Sequence, residues 1–220
     1  ANTTTKPSNS TTTTNKTTTN TTTPKTETKK EPETIVYDAE LTDGYYTAGI
    51  DFPAGRYTVT AIVGTGNVSS SNMWDGGLNE MMGIDEDSNL YSQEFKNASL
   101  DEGVILEISG NLTIKIHSDK ADATPLKKRV QPNTETIRLT NGYYYSGEDF
   151  PAGVYDVVAI EGTGNVSSDN LWDGGINEMM GIDDSSFSEL YSKLFKNVDL
   201  PAGTELEISG GVTVDLVPSK

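Results

Sequence analysis

The chain carries one segment twice, and this duplication constrains the fold more than any other feature. Residues 41–85 match residues 139–183 at 34 of 45 positions, with a constant offset of 98. After a two-residue insertion, residues 90–116 match residues 190–216 at 14 of 27 positions. Such a repeat predicts two copies of one domain. Any site that the two copies share must therefore occur twice.

The composition changes sharply outside the two copies. Sixteen of the first 34 residues are Thr, and Ala1 is the only hydrophobic residue among them. A segment this polar cannot bury enough apolar surface to offset the entropy of ordering its backbone. We expect a disordered Thr-rich stalk over residues 1–34, then a module over 35–118, a polar linker over 119–133 and a second module over 134–220. Each module is expected to fold independently.

Within each copy, apolar residues alternate with residues that vary between the copies. Tyr57, Val59 and Ala61 recur unchanged in the second copy, whereas Thr58 and Thr60 do not. Period-two alternation predicts strands with one buried face, which is typical of antiparallel sheets. Turns with Pro and Gly, such as residues 52–55, separate these strands at short intervals. The predicted fold is all-β, with two tandem antiparallel β-sandwich modules of jelly-roll-like type.

One segment of each copy departs from this alternation. In the first copy, Leu78, Met81 and Met82 have the i, i+3, i+4 spacing of one helical face. Asp75 can cap the start of a helix and Gly83 can end it. We therefore expect a short helical turn inserted between strands in each module.

The charge of the chain limits its partners. The net charge is −17, and the stalk contributes five Lys and three Glu, so the remainder carries −17 − 2 = −19. Nucleic-acid binding depends on Lys and Arg meeting phosphate, so this acidity argues against DNA and RNA and suits a cationic partner. No apolar run is long enough to span a membrane. We expect a monomer without a transmembrane segment.

The residue content of the chain gives little support to His-based or Cys-based catalysis or to metal binding. The chain has no Cys, and its single His, His117, corresponds to Val217 in the second copy. A shared Ser-His-Asp site or His-rich metal site is therefore excluded. Residues 85–89 resemble the start of a calcium loop, but residues 183–187 do not keep that pattern. We expect no metal and no cofactor.

The best candidate site is the polar, glycine-rich stretch that diverges least between the copies. Within residues 64–85 only Ser71, Met73 and Leu78 differ from their counterparts. Such a loop is either conformationally demanding or a working surface. A Trp flanked by Asn, Asp and Gly can present its face to a sugar ring or a peptide. The candidate ligand-binding residues are Asn72, Trp74, Asp75, Asn79 and Glu80, with Asn170, Trp172, Asp173, Asn177 and Glu178. The alternative is that each Trp plugs one end of its sandwich.

Four segments carry a resemblance to a known repeat. They are residues 48–57, 64–70, 76–83 and 95–97, with their second-copy counterparts. Together they resemble a tandem repeat module of uncharacterised secreted proteins and lipoproteins of Gram-positive bacteria. The resemblance implies tandem β-modules at the cell surface, but it brings neither catalytic residues nor a ligand.

These observations favour a binding function over the alternatives. We expect a non-enzymatic, extracellular adhesion or binding protein that displays two equivalent modules on a flexible stalk. Its ligand is expected to be a surface glycan or a surface protein, and its anchor to lie outside this chain. A structural spacer is one alternative. A small hydrolase is another, since Asp and Glu are plentiful in both copies.

Overall fold

The computed structural model describes residues 33–84, 90–182 and 190–220, and these residues form two β-rich modules. The strands of the first module are β1 (Thr34–Leu41), β2 (Gly44–Thr47), β3 (Gly55–Val63), β4 (Thr65–Ser70), β5 (Asn79–Gly83), β6 (Glu94–Leu100), β7 (Ile105–Ser109) and β8 (Thr113–Asp122). Those of the second are β9 (Ile137–Leu139), β10 (Gly142–Tyr145), β11 (Gly153–Glu161), β12 (Thr163–Ser168), β13 (Asn177–Gly181), β14 (Leu194–Leu200), β15 (Glu205–Ser209) and β16 (Thr213–Pro218).

Each module is a sandwich of two four-stranded sheets. In the first module the sheet orders are β1-β8-β3-β6 and β2-β7-β4-β5, and the neighbours within each sheet are antiparallel. The second module repeats both orders with β9 to β16. This is the strand order of a jelly roll. The all-β double-sandwich prediction is confirmed.

Alternating residues of the strands build a separate hydrophobic core in each module. Tyr57 is almost fully buried, and its hydroxyl donates a 2.6 Å hydrogen bond to the carbonyl of Pro53. The second copy repeats this bond between Tyr155 and Pro151 at 2.6 Å. The predicted turn and the predicted strand are therefore tied together by the same buried phenol in both copies.

The short helical turn predicted between Asp75 and Gly83 is wrong for residues 79–83. Residues 79–83 form strand β5, which pairs antiparallel with β4, and β13 does the same with β12. Leu78 and Met82 are buried while Met81 is exposed, so the segment follows a period of two with Glu80 between its buried residues. Pairing along the whole of β4 satisfies the backbone of the segment, which outweighs its helix-like spacing. A 3₁₀ turn does form in the second module, but over Leu171–Asp173.

Strand β2 of the first module and strand β14 of the second lie side by side at the contact between the modules. The amide of Lys196 on β14 donates a 3.0 Å hydrogen bond to the carbonyl of Asp43, and Lys196 forms a parallel bridge with Gly44. This bridge joins one sheet of each module into a continuous sheet of eight strands. The side chain of Asn197 donates to the carbonyl of Tyr45 at 2.7 Å. The ring of Tyr45 packs edge-on against Phe195, with centroids 5.4 Å apart.

The segment between the modules is anchored to both. Strand β8 continues to Asp122, four residues beyond the predicted end of the first module at residue 118. Arg129 forms an ion pair with Asp51 of the first module, and the Gln131 side chain donates to the carbonyl of Val154 in the second. The described residues of both modules and of the segment between them belong to one compact unit. Independent folding of the two modules stays a prediction, and the predicted stalk lies, up to residue 32, outside the described residues.

No helix in the described part of the chain is long and apolar enough to cross a membrane.

Candidate functional site

The loop between β4 and β5 is held in one conformation by its own polar groups. The side-chain amide of Asn72 donates to the carbonyl of Ser99 on β6 at 2.8 Å and to that of Asp75 at 3.2 Å. The amide of Ser99 in turn donates to the carbonyl of Gly76 at 2.8 Å. Asn72 therefore fastens the loop to the neighbouring edge strand.

The loop between β12 and β13 is fastened to its neighbouring strand in the same way. The side-chain amide of Asn170 donates to the carbonyl of Asp199 at 2.8 Å, and the amide of Asp199 donates to the carbonyl of Gly174 at 2.8 Å. The amide of Asp173 donates to the carbonyl of Asn170 at 2.8 Å. Both loops are therefore preorganised, and their local structure is equivalent.

Close packing explains why the glycines of this loop did not diverge. A Cβ on Gly77 would lie 2.1 Å from Oγ of Ser70, and one on Gly175 would lie 2.3 Å from Oγ of Ser168. Neither position has room for another residue. The glycine content of the loop therefore has a conformational cause and is not by itself evidence for a ligand.

The two Trp side chains have no such structural cause. Trp74 and Trp172 are both 94% exposed, so neither plugs the end of its sandwich. Trp side chains in folded proteins are highly buried on average. Two rigid loops that both present an unburied indole are the strongest indication of a binding surface in the described residues.

The surroundings of the two Trp residues differ. Trp172 borders a groove of about 320 Å³ between the modules. The other main walls of this groove are Tyr45, Ser69, Met73, Ile105 and Glu107 of the first module. A second depression of about 390 Å³ also involves Tyr45 and Trp172 and extends towards Arg129, Asp173 and Asp199. Trp74 is not among the residues that line either depression.

The remaining predicted site residues are distributed along the neighbouring strands. Asp75 and Asp173 are exposed beside the Trp residues. Asn79 and Asn177 are exposed on β5 and β13, where they accept hydrogen bonds from Asn67 at 3.4 Å and Asn165 at 3.2 Å. The structure thus places Asn, Trp and Asp of each set together in one loop and the second Asn on the adjoining strand.

The two predicted Glu residues have different environments. Glu80 accepts a 3.3 Å hydrogen bond from the hydroxyl of Ser92. Burial at the contact between the modules raises the pKa of Glu178 to about 8, with further upward contributions from Asp43 and Glu107. A hydrogen bond from the amide of Gly110 partly opposes this rise. Glu178 therefore belongs to the contact between the modules and does not line the groove beside Trp172.

Asp43 organises this contact and was not identified from the sequence. It accepts hydrogen bonds from the amides of Asn111 and Leu112, at 2.9 and 3.0 Å, and from the hydroxyl of Ser192 at 2.5 Å. Burial raises its pKa, and these bonds oppose the rise. The only sequence signal is that Asp43 differs from its counterpart, Asn141, inside a stretch that otherwise diverged little. That signal alone does not reveal a contact.

The structure gives little support to the His-based and metal-binding chemistry that the sequence analysis considered. His117 is exposed and lies 3.1 Å from Asp38 and 3.3 Å from Asp119. No cluster of three or more metal-ligating side chains occurs in residues 33–84, 90–182 and 190–220. The calcium-like segment of residues 85–89 and its counterpart lie outside the described residues.

A scan against protein-family models finds no match, and a search of curated proteins finds no significant relative.

Proposed function

We propose that this protein is a non-enzymatic binding protein of the cell surface, and that Trp172 forms the centre of its most complete ligand site. The observation that carries the proposal is the 94% exposed indole, on a loop that hydrogen bonds hold in place, beside a groove between the modules. The hydrogen bonds that fix the loop are made by Asn170, Gly174 and Asp199, so the indole itself is not needed to hold it.

The lining of the groove favours a ligand with a flat apolar face and polar edges. The indole of Trp172 and the ring of Tyr45 supply apolar surface. Glu107 supplies a carboxylate, which accepts a 3.3 Å hydrogen bond from the hydroxyl of Ser69. Sugar rings combine an apolar face with hydroxyl groups at their edge, and aromatic side chains bind such faces. A neutral or amino-bearing surface glycan is the ligand that this chemistry fits best.

The negative charge of the protein further limits the classes of ligand that it can bind. With a net charge of −17, the chain repels polyanions such as nucleic acids and acidic polysaccharides. Amino groups on a sugar or on a surface protein would be attracted to Glu107 and Asp173, which line the two depressions. We therefore rank amino-sugar polymers above neutral glycans, and both above anionic ones.

Duplication of the loop is expected to strengthen weak binding. Two linked sites raise the apparent affinity because the second binding event becomes intramolecular. The Thr-rich stalk, if it is flexible as we expect, adds reach from a surface to a fixed partner. This reasoning supports an adhesion role at the outside of the cell.

The two alternative functions, a structural spacer and a hydrolase, require different features at the site. A spacer has no need of an exposed indole in both modules. A glycoside hydrolase needs two carboxyl groups that face the scissile bond. Glu178, whose raised pKa would suit a proton donor, does not line either depression beside Trp172. These observations favour binding without catalysis.

The test is a binding assay with Trp variants on immobilised chitosan, a neutral glucan and an anionic polysaccharide. Trp172→Ala is expected to weaken binding to chitosan more than Trp74→Ala, and the double variant to abolish it. Met179→Ala serves as a control, because it removes an exposed apolar side chain of β13 outside the groove.

Thermal unfolding of every variant checks that the fold is intact. Wild-type binding by the folded double variant would overturn the proposed site. Release of shortened oligosaccharides from any of the polymers would favour the hydrolase instead. A wild-type protein that binds none of the polymers or isolated surface proteins would favour the spacer.

A further inference from the structure

The contact between the modules is head-to-tail, because the two modules use different surfaces. The first module contributes the edge of β2, and the second contributes the edge of β14. Since the modules are copies, each also has the surface that the other uses. The unused pair is the edge of β6 in the first module and the edge of β10 in the second. Among the described residues, β6 pairs only with β3 and β10 only with β15.

The unused β6 edge closely resembles the occupied β14 edge. Residues 95–97 and 195–197 are both Phe-Lys-Asn. Asn97 and Asn197 share a left-handed backbone, with φ of 63° and 59°. In the occupied copy, Phe195 is 2% exposed and packs on Tyr45, whereas Phe95 is only half-buried. The surface along β14 is thus formed along β6 as well, and it is covered only in the second module.

The unused β10 edge likewise resembles the occupied β2 edge. Gly142 and Tyr143 correspond to Gly44 and Tyr45, and the two glycines have φ of 156° and 142°. Tyr143 is 62% exposed. Its phenol lies 3.4 Å from Glu207, the counterpart of Glu107. The surface along β2 is therefore formed along β10 as well, and it is left open in the second module.

The change from Asp43 to Asn141 at the centre of this surface preserves its geometry. Asn141 accepts a 3.1 Å hydrogen bond from the amide of Gly211, as Asp43 does from Asn111 at 2.9 Å. The side-chain oxygen of Asn141 can accept from a serine hydroxyl, as Asp43 does from Ser192. An amide also lacks the negative charge that opposes bringing carboxyl groups together. The change therefore reduces charge repulsion at a contact made by this surface.

We propose that a second copy of this chain docks its β10 edge on the β6 edge, repeating the contact that the two modules make within the chain. An exposed strand edge offers unpaired backbone groups to such a partner. A head-to-tail contact leaves one free surface of each kind, so it extends into a linear assembly and does not stop at a symmetric dimer.

This assembly would complete the site at Trp74. Within the chain, Tyr45, Met73 and Glu107 of the first module line the groove beside Trp172. At the contact between two copies, their counterparts Tyr143, Leu171 and Glu207 would stand beside Trp74. The second copy therefore supplies the wall that Trp74 lacks. The assembly itself does not depend on the proposed glycan-binding function, so the two fail independently.

The contact between two copies is expected to be weak. No covalent linker raises the local concentration of the partner, and the ion pair of Arg129 with Asp51 belongs to the segment that joins the modules. Two chains that each carry −17 also repel each other at low ionic strength. Association should therefore appear at high protein concentration and should strengthen when salt is added.

The test is sedimentation velocity of the full chain from micromolar to millimolar concentration, at low and high salt. Asn97→Gly removes the side-chain amide that corresponds to the donor Asn197 and keeps the left-handed backbone available. Tyr143→Ala removes the exposed ring that corresponds to Tyr45. Each variant is expected to associate about tenfold more weakly than the wild type. Met179→Ala is the control and should associate as the wild type does.

A mixture of the two variants tests directly whether the β10 edge of one chain pairs with the β6 edge of another. An Asn97→Gly chain keeps an intact β10 edge and a Tyr143→Ala chain keeps an intact β6 edge, so the mixture should form dimers that do not grow further. The expectation of a monomer, which the sequence favoured, makes the opposite prediction. A wild type that stays monomeric at all concentrations would overturn the proposal. So would association that neither variant changes while thermal unfolding shows both to be folded.

Discussion

The Trp74 loop and the Trp172 loop are the same structure in two settings. Both are fastened to a neighbouring strand, β6 or β14, by an Asn side chain at 2.8 Å, and both leave the indole 94% exposed. Trp172 borders the groove between the modules and Trp74 does not, because among the described residues the β2 edge lies beside β14 of the second module. Local sequence therefore sets the shape of the loop, and the packing of the modules sets what lies next to it.

The largest expected effect tests whether the modules are separate units. Tyr57→Ala and Tyr155→Ala each remove a buried ring and a 2.6 Å hydrogen bond. We expect each to lower the free energy of unfolding of its own module by about 3–5 kcal/mol. Chemical denaturation followed by circular dichroism should then show two transitions, of which one moves. A single transition that moves equally for both variants would show that the modules unfold as one.

A smaller effect tests the contact between the modules. A Cβ on Gly44 would lie 2.6 Å from the carbonyl oxygen of Lys196, whereas one on Gly142 would meet only the Tyr144 ring, at 3.4 Å. Both glycines have positive φ, so both Ala variants carry backbone strain. Overpacking should make Gly44→Ala less stable than Gly142→Ala by about 1–3 kcal/mol. Small-angle scattering should show separated modules for Gly44→Ala alone. Equal stability and equal scattering would mean that the contact is absent in solution.

The pH dependence of stability tests the same contact, and its expected effect on the free energy of unfolding is smaller. The pKa of Glu178 is raised from 4.5 to about 8, so between these values the folded protein keeps a proton that the unfolded chain has lost. Stability therefore falls as pH rises through this interval. The half-buried carboxyl is partly screened by water, so the loss is on the order of 1 kcal/mol.

Two variants separate this group from the other acids. Glu178→Gln, which stays neutral, should remove most of the decline in stability between pH 4.5 and 8. Glu80→Gln is the matched control, because Glu80 occupies the corresponding position outside the contact. A decline that is unchanged in Glu178→Gln would contradict the assignment.

Most of the fold could be predicted from the sequence because the patterns that indicate its strands and turns lie within short stretches of neighbouring residues. The alternation around Tyr57 and the Pro-Gly turn before it are enough to predict a strand with one buried face. Strand β5 was missed because Leu78, Met81 and Met82 match a helical face, while the half-buried Glu80 interrupts the alternation that the strand follows. Pairing with a neighbouring strand decided the outcome, and such pairing is not a local property.

The candidate site could be predicted only in part. The loop of Trp74 and its twin stood out because it diverged least, and the structure shows that its glycines have a packing reason. The exposure of both indoles could not be derived from composition. The contact of Asp43 with Ser192 joins residues 149 positions apart, and that of Tyr45 with Asn197 joins residues 152 apart. No local pattern reports a contact at such a separation, so the groove beside Trp172 was not foreseen.

The most direct measurement of the central claim is a fluorescence titration of the two single-Trp variants with chito-oligosaccharide. Trp74→Ala leaves Trp172 as the only indole, and Trp172→Ala leaves Trp74. At concentrations where the protein is monomeric, we expect a saturable change in the Trp74→Ala variant and a change in Trp172→Ala only at much higher ligand concentration. Equal affinities of the two variants would contradict the claim that the groove between the modules makes the site, and the absence of any change in both would contradict binding at the Trp loops.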